Sequence, residues 1–307
     1  MPLDTKKNAK RFLDAVHPEL TVFVKYDIWP NLLNELKQRA TRAILISAVF
    51  RKSQAFFKWY GKNTRQALFA FEHIFTQDEQ SKVLLHTIGY TTVSISGDTR
   101  FDRVSSQLLQ NNTIDFIETF KQNKLCIVVG SSWREDEKLI VDYINKKASN
   151  DLQFIIAPHN INQNQIQALK KSIKKPCVLF SKKEGKILEH YQVFIMDTIG
   201  LLSRTYSYAD IAYVGGAMGT TGLHNTLEAA AFGIPVIIGE NHQKFPEAQA
   251  MIDQSGMISI STQEELNIAL DSFVDNEIKR KAYGQNNYEY IHNNRGAVIQ
   301  ILEYLRK

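Results

Sequence analysis

Short β-branched runs alternate with longer amphipathic stretches along almost the whole chain, and this rhythm restricts the fold more than any single motif does. "ELTVFVKY", "AILISAV" and "HIFTQ" are separated by helical patterns such as "PNLLNELKQRA". After a polar segment near residues 105–124 the alternation resumes. "KLCIVVG", "LQFIIAPH", "CVLF", "YQVFIMD", "YSYADIAYVGG" and "PVIIGE" read as strands, connected by "WREDEKLIVDYINKK", "NQNQIQALKKSI" and "NTLEAAAFG". Parallel strands need crossovers of a dozen or more residues, usually helices, so the pattern predicts an α/β chain. Two Rossmann-like, doubly wound parallel-sheet units are expected. The first, residues 1–105, shows only three or four strands and reads as incomplete, whereas the second, residues 106–285, reads as whole. Past residue 262 the pattern turns helical, with a polar interruption at Asn287 to Asn294. Residues 286–307 are predicted to form a helix returning to the first unit.

At 307 residues the chain is long enough for one or two α/β domains. Its 44% hydrophobic and 22% charged residues are those of an ordinary globular protein, so disorder explains no long stretch. An excess of 37 Lys and Arg over 32 Asp and Glu favours anionic partners without naming one. Cys126 and Cys177 have neither a nearby partner nor a metal-ligand spacing, which fits a reduced setting. No run of about 18 apolar residues is present to span a bilayer. The opening "MPLDTKKNAK" has no apolar signal core, and a helical pattern begins directly after Asp4 and Thr5, as though the chain opened in mid-domain.

Ligands of open α/β sheets bind beyond the carboxyl ends of the strands, which directs attention to four polar loops of the second unit. These are "GSSWRED" after Val129, "PHN" after Ala157, "DTIGLLSR" after Met196 and "GGAMGTTGLHNTLE" after Val214. The last contains Gly215, Gly216, Gly219 and Gly222, whose spacing is neither G-x-G-x-x-G nor a P-loop, so NAD and ATP lose support. What remains is a glycine loop feeding a helix expected near Asn225, whose free N–H groups favour an anion. Asn225 and Glu228 have the N-cap and N3 spacing of a capping box, while Glu228 also reads as a carboxylate that could accept both hydroxyls of a ribose. His224 is assigned positioning rather than acid–base work. Ser131 and Ser132 read either as helix caps or as donors to an anion, and Gly200, Leu201 and Leu202 as main-chain contacts for a base. No Asp-x-Asp pair stands at a strand end and no His/Cys cluster has ligand spacing, so no metal is expected.

In the first unit, "KYDIWPN" puts Asp27 at a strand end, where it reads either as a cleft carboxylate or as a helix-start residue. Arg100, in "SGDTRFDR", reads either as a fixed cation for a phosphate leaving group or as the partner of Asp98 or Asp102 in a solvent-facing salt bridge. Between them, Arg51, Lys52, Lys58, Lys62 and Arg65 are interleaved with Phe56, Phe57, Trp59, Tyr60 and Phe69. This mixture suits a surface of anionic headgroups, or equally a core-packed helix with a solvated basic face. Nucleic acid is disfavoured because no binding module accompanies the patch.

The segments "PLDT…RFL", "DIWPNLL", "LISAVF", "SGDTRFD", "GSSW…E", "DTIGLL…YSYADIAYVGG", "GLHNTLEAAAFGIPVIIGE" and "NHQKFPEAQAM" together resemble the Kdo transferases. These are glycosyltransferases of GT-B fold that move 3-deoxy-D-manno-octulosonic acid from CMP-Kdo onto a lipid A precursor, lipid IVA, in lipopolysaccharide biosynthesis. The matches run in family order over nearly the whole chain. The resemblance implies that Asn225, Thr226, Leu227 and Glu228 contact CMP, with Gly200, Leu201 and Leu202 as a second nucleotide-binding segment. Pro158 and His159 stand where the family has Pro-Arg, so His159 is expected to replace the arginine's phosphate contact only in part. Asp27 replaces a glutamate and Arg100 a lysine; both keep their charge and are assigned transition-state stabilisation. Family members begin with a membrane-associated segment and a region whose Gly-Glu motif supplies the proposed catalytic base. This chain starts downstream of both, which implies either a fragment or a base supplied from elsewhere.

The expected activity is an inverting transfer at the cytoplasmic face of a bacterial inner membrane, with CMP-Kdo as donor substrate and no cofactor. Two rivals stand beside it. One is a sugar-nucleotide 2-epimerase of similar two-domain form, the other a nonenzymatic nucleotide-binding remnant without a base.

Overall fold

The computed structural model describes residues 3–306, so Met1, the Pro2 of the "PLDT" segment and Lys307 lie outside the described residues. The chain divides into two units, one running up to Arg103 and resumed from Asn294, the other spanning Val104–Asn293.

The first unit carries four parallel strands, β1 (Leu20–Val24), β2 (Arg42–Ala48), β3 (His73–Thr76) and β4 (Val93–Ile95), arranged in chain order. Strands laid down in one direction by right-handed crossovers place their connecting helices on one face. Leu32, Leu33 and Leu36 of the helix Pro30–Gln38 accordingly pack in one cluster with Ala67 and Leu68 of Lys62–Leu68 and Leu84 and Leu85 of Glu79–Thr87. Side chains alternate along β2, so Ala43 and Leu45 join that cluster while Ile44 faces the other way. Ile44 and Phe75 are covered there by Ile301, Tyr304 and Leu305 of the C-terminal helix Ala297–Leu305.

Two helix starts in this unit are satisfied from a distance. Asp4 accepts hydrogen bonds from Asn31 N at 2.9 Å and Leu32 N at 3.0 Å, capping the helix that Pro30 opens. Asp102 accepts from Gly296 N at 2.8 Å and Val298 N at 3.3 Å at the head of the C-terminal helix. The helix-start reading of Asp27 is therefore corrected, because Asp4 fills that role.

The second unit holds β5 (Leu125–Ser132), β6 (Leu152–Pro158), β7 (Cys177–Leu179), β8 (Val193–Ile195), β9 (Ile211–Val214), β10 (Val236–Gly239) and β11 (Met257–Ile260). All pair in parallel, in the order β11-β10-β9-β5-β6-β8-β7. The chain begins at the centre with β5, builds outward to one edge, and returns to lay β9 on β5's other side. The direction of winding therefore reverses between β5 and β9, and that reversal opens a crevice at their carboxyl ends.

One expectation about an irregular segment is corrected. Residues 287–293 continue the helix Glu277–Asn293 instead of interrupting it, because the buried Asn287 amide donates to Ile234 O at 2.8 Å and Gly256 O at 2.7 Å. Within the polar stretch 105–124, Asp115–Lys121 is helical and buries Ile117 and Phe120.

Candidate functional site

Asp136 organises the β5/β9 crevice. It occupies the third position of the helix Arg134–Lys146, is fully buried, and accepts three hydrogen bonds. Its Oδ2 takes Trp133 N at 2.8 Å and Gly216 N at 2.9 Å, and its Oδ1 takes Tyr213 Oη at 2.8 Å. One carboxylate thus ties the end of β5 to the end of β9. Burial pushes the Asp136 pKa above 3.8, and the three donors oppose that shift. Gly215 is required by the closeness of this clamp, since a Cβ there would lie 2.5 Å from Ser131 O and 2.7 Å from Asp136 Oδ2. Gly216 is required by its backbone, with φ of 99°.

The caps expected of Ser131 and Ser132 do not form, because the N-cap of the following helix is Trp133. Ser131 instead bulges out of the β5/β6 pairing with φ of 52°. Ser132 is buried, donating its hydroxyl to Glu137 Oε1 at 3.1 Å, while its carbonyl accepts His159 N at 2.9 Å.

Three rings gather above this point. Trp133 Nε1 donates to His224 Nε2 at 2.9 Å, and His159, which follows Pro158 at the end of β6, stacks on both Trp133 (centroids 4.6 Å apart) and His224 (4.3 Å). An accepting Nε2 leaves His224 neutral. Burial lowers its pKa below the ordinary 6.5, and the charge of His159 lowers it further.

The other two expected segments meet at Glu228. Ser203 Oγ donates to Glu228 Oε2 at 2.7 Å and Asn225 Nδ2 donates to Glu228 Oε1 at 2.9 Å. Ser203 follows Gly200, Leu201 and Leu202 directly, and Gly200 is exposed with φ of 88°. The capping box expected of Asn225 and Glu228 is not formed. Thr226 is the N-cap, the helix Leu227–Ala230 is only four residues long, and Asn225 Oδ1 accepts Leu227 N at 3.3 Å. So short a helix has little macrodipole, and side chains carry more of this site than expected. Gly130 links the two clusters, because a Cβ there would lie 3.2 Å from Leu202 Cδ1 and would collide with the Tyr206 hydroxyl.

A hollow of about 260 Å³ lies beside this arrangement, lined by Ser132, Trp133, Glu137, Pro158, Gln165 and Thr221. It is smaller than the roughly 300–1,000 Å³ of typical ligand pockets and contains none of residues 225–228, so the convergent polar groups define the site better than this volume does. Among the described residues no group of three or more His, Cys, Asp or Glu is placed to hold a metal. Sequence reasoning missed Asp136 and Ser203. A W-x-x-D spacing ahead of a helical pattern was the available signal for Asp136, and none marked Ser203.

In the first unit, Asp27 is exposed beyond β1, and its carboxylate has no hydrogen-bond or ion-pair partner among the described residues. Arg100 Nε contacts Asp98 Oδ2 at 2.7 Å, with Gln77 Nε2 at 3.0 Å and Lys25 Nζ at 3.5 Å on the same oxygen. The Arg100–Asp98 pairing foreseen as one reading is therefore present, but on a buried carboxylate rather than a solvent-facing one.

Two outcomes test the clamp. Asp136→Ala strands two backbone N–H groups and a hydroxyl and should cost about 2–4 kcal/mol in chemical denaturation. Asp136→Asn should cost roughly 1 kcal/mol, because its oxygen can serve the two N–H groups while its amide donates to Tyr213. Equal losses would contradict the assignment. For His224, whose pKa is lower folded than unfolded, the unfolded chain binds more protons as pH falls through 6.5. The stability it contributes is complete above that pH and is lost below it. Melting curves across this range should therefore fall more steeply for the native chain than for His224→Gln; parallel curves would contradict the neutral ring.

Comparisons with known proteins bear out the resemblance read from the motifs. Residues 1–103 match the family model described as 3-deoxy-D-manno-octulosonic-acid transferase (kdotransferase). The 3-deoxy-D-manno-octulosonic acid transferase of Haemophilus influenzae is 29% identical over 320 residues, covering 100% of this chain and 73% of that protein. Among solved structures, the C-terminal CMP-Kdo binding domain of WaaA from Acinetobacter baumannii superposes with a TM-score of 0.51 at 16% identity, covering 63% of this chain and 98% of that one. UDP-GlcNAc 2-epimerase from Neisseria meningitidis superposes with a TM-score of 0.68 at 15% identity, covering 98% of this chain and 80% of that one. At these identities the structural likenesses establish the GT-B-like fold alone.

Proposed function

We propose, for a chain similar to Kdo transferases over its whole length, that it is a glycosyltransferase moving Kdo from CMP-Kdo to a lipid A precursor, lipid IVA, at the cytoplasmic face of a membrane. The observation that carries the reading is the meeting of two separate loops at one carboxylate, Ser203 and Asn225 on Glu228, at the carboxyl ends of a doubly wound sheet. A carboxylate held there can accept the hydroxyls of a ribose. CMP is proposed to contact residues 225–228 and the backbone of Gly200, Leu201 and Leu202. Pro158, His159, Ser131, Ser132 and His224 would border its phosphate.

In the reaction, an acceptor sugar hydroxyl attacks the anomeric carbon of Kdo, forming the new glycosidic bond as the bond to the phosphate of CMP breaks. A carboxylate takes the hydroxyl proton. CMP departs as a monophosphate, carrying less charge than a nucleoside diphosphate would, and we propose that no resident metal or cofactor is needed. Arg100 and Asp27 are proposed to stabilise the charges that develop. Trp59 and Tyr60 are strongly exposed, at 91% and 62%, and with Lys52, Lys58 and Lys62 they suit contact with anionic headgroups of the acceptor's surface. No helix among the described residues is long and apolar enough to cross a membrane.

The epimerase alternative draws on the fold, whereas the sequence relatives favour the transferase. Incubation with CMP-Kdo and a tetraacylated lipid A precursor should yield the Kdo-bearing lipid and CMP. CMP binding without product would favour the nonenzymatic reading, and tighter binding of UDP-sugars than of CMP would favour the epimerase. Glu228→Ala should weaken CMP about ten-fold or more, the loss expected for hydrogen bonds to a charged group. Unchanged affinity with a lower melting temperature would leave Glu228 a structural residue.

A further inference from the structure

We infer that Ser203 is a positioning residue that sets the ribose selectivity of this site by fixing the Glu228 carboxylate. The inference rests on the reading that Glu228 grips the ribose of CMP. Ser203 follows the Gly200–Leu202 segment in chain and reaches Glu228, 25 residues later, through a 2.7 Å hydrogen bond from its hydroxyl. Terminal rotation of a glutamate side chain is broad, so one donor leaves the carboxylate plane poorly defined. Asn225 holds Oε1 at 2.9 Å and Ser203 holds Oε2, so the two donors fix both ends of the carboxylate.

The two donors differ in what they are attached to. Asn225 belongs to the same turn as Glu228 and moves with it. Ser203 belongs to the helix Leu202–Thr205, anchored by Thr205 Oγ1 on Leu201 O at 2.9 Å and by the buried Tyr206 beneath it. Ser203 is thus the side chain that registers the carboxylate against the loop proposed to hold the base. A carboxylate has about four acceptor positions, so these two donors orient it without by themselves exhausting it. The bound hydroxyls then meet oxygens already aimed, and no rotamer freedom is lost on binding.

The test compares CMP with 2′,3′-dideoxycytidine monophosphate by calorimetry on the full chain. Native protein should prefer CMP by about 10- to 100-fold. Ser203→Ala should cut that preference about five-fold while leaving the affinity for the dideoxy nucleotide unchanged, and Ser203→Thr, which keeps the hydroxyl, should restore it. Equal weakening of both nucleotides by Ser203→Ala, or a preference kept at the native value, would overturn the role of Ser203. Native protein that binds CMP but does not distinguish the two nucleotides would instead overturn the ribose-gripping role of Glu228, and native protein that binds neither would overturn the CMP reading.

Discussion

The buried Asp136 carboxylate is the constraint on which the rest of the second unit's site depends. Desolvating a carboxylate is costly, and it is tolerated here because two backbone N–H groups and a tyrosine hydroxyl converge on it. Those donors come from one central strand and from the residues just past the ends of both strands at the winding reversal. Meeting that one charge's hydrogen-bonding demand therefore fixes the distance between the strand ends and leaves no room for a side chain at position 215.

From that clamp the geometry propagates outward by contact. Trp133, whose backbone Asp136 holds, holds His224 in turn through its indole N–H. His224 is followed directly by Asn225, which orients Glu228 from one side while Ser203 does so from the other. Gly130, on β5, admits Leu202 and Tyr206 against the strand, which brings the 200–206 segment to the same place. A site built in this way presents side-chain acceptors and neutral rings rather than a long helix dipole. That suits a ligand recognised through its sugar and base as much as through its phosphate.

The alternation of strand and crossover was legible because β-branched runs such as "CIVVG" and "FIIA" are buried on both faces and carry little polar content. β11 was not read as a strand, since it is only four residues long, Ser259 separates its two isoleucines, and it lies at the sheet's edge. Residues 287–293 looked like an interruption because the asparagine there is polar, yet its amide is spent on two main-chain carbonyls. The glycine loop and its Asn225 and Glu228 were legible from spacing, but the capping box was not a sound inference from it, because the helix is a single turn that begins after Thr226. Ser203 and Asp4 were invisible for a common reason. Their partners lie 25 and 27 residues away, and no local pattern encodes such pairings.

Amide hydrogen exchange, measured with and without CMP, tests most directly whether this clamp frames a nucleotide site. The account predicts slowed exchange in residues 197–206 and 215–233, the two segments that meet at Glu228, with little change in the first unit. Slowing confined to residues 160–170, along the hollow beyond Trp133, or absent from residues 215–233, would contradict it.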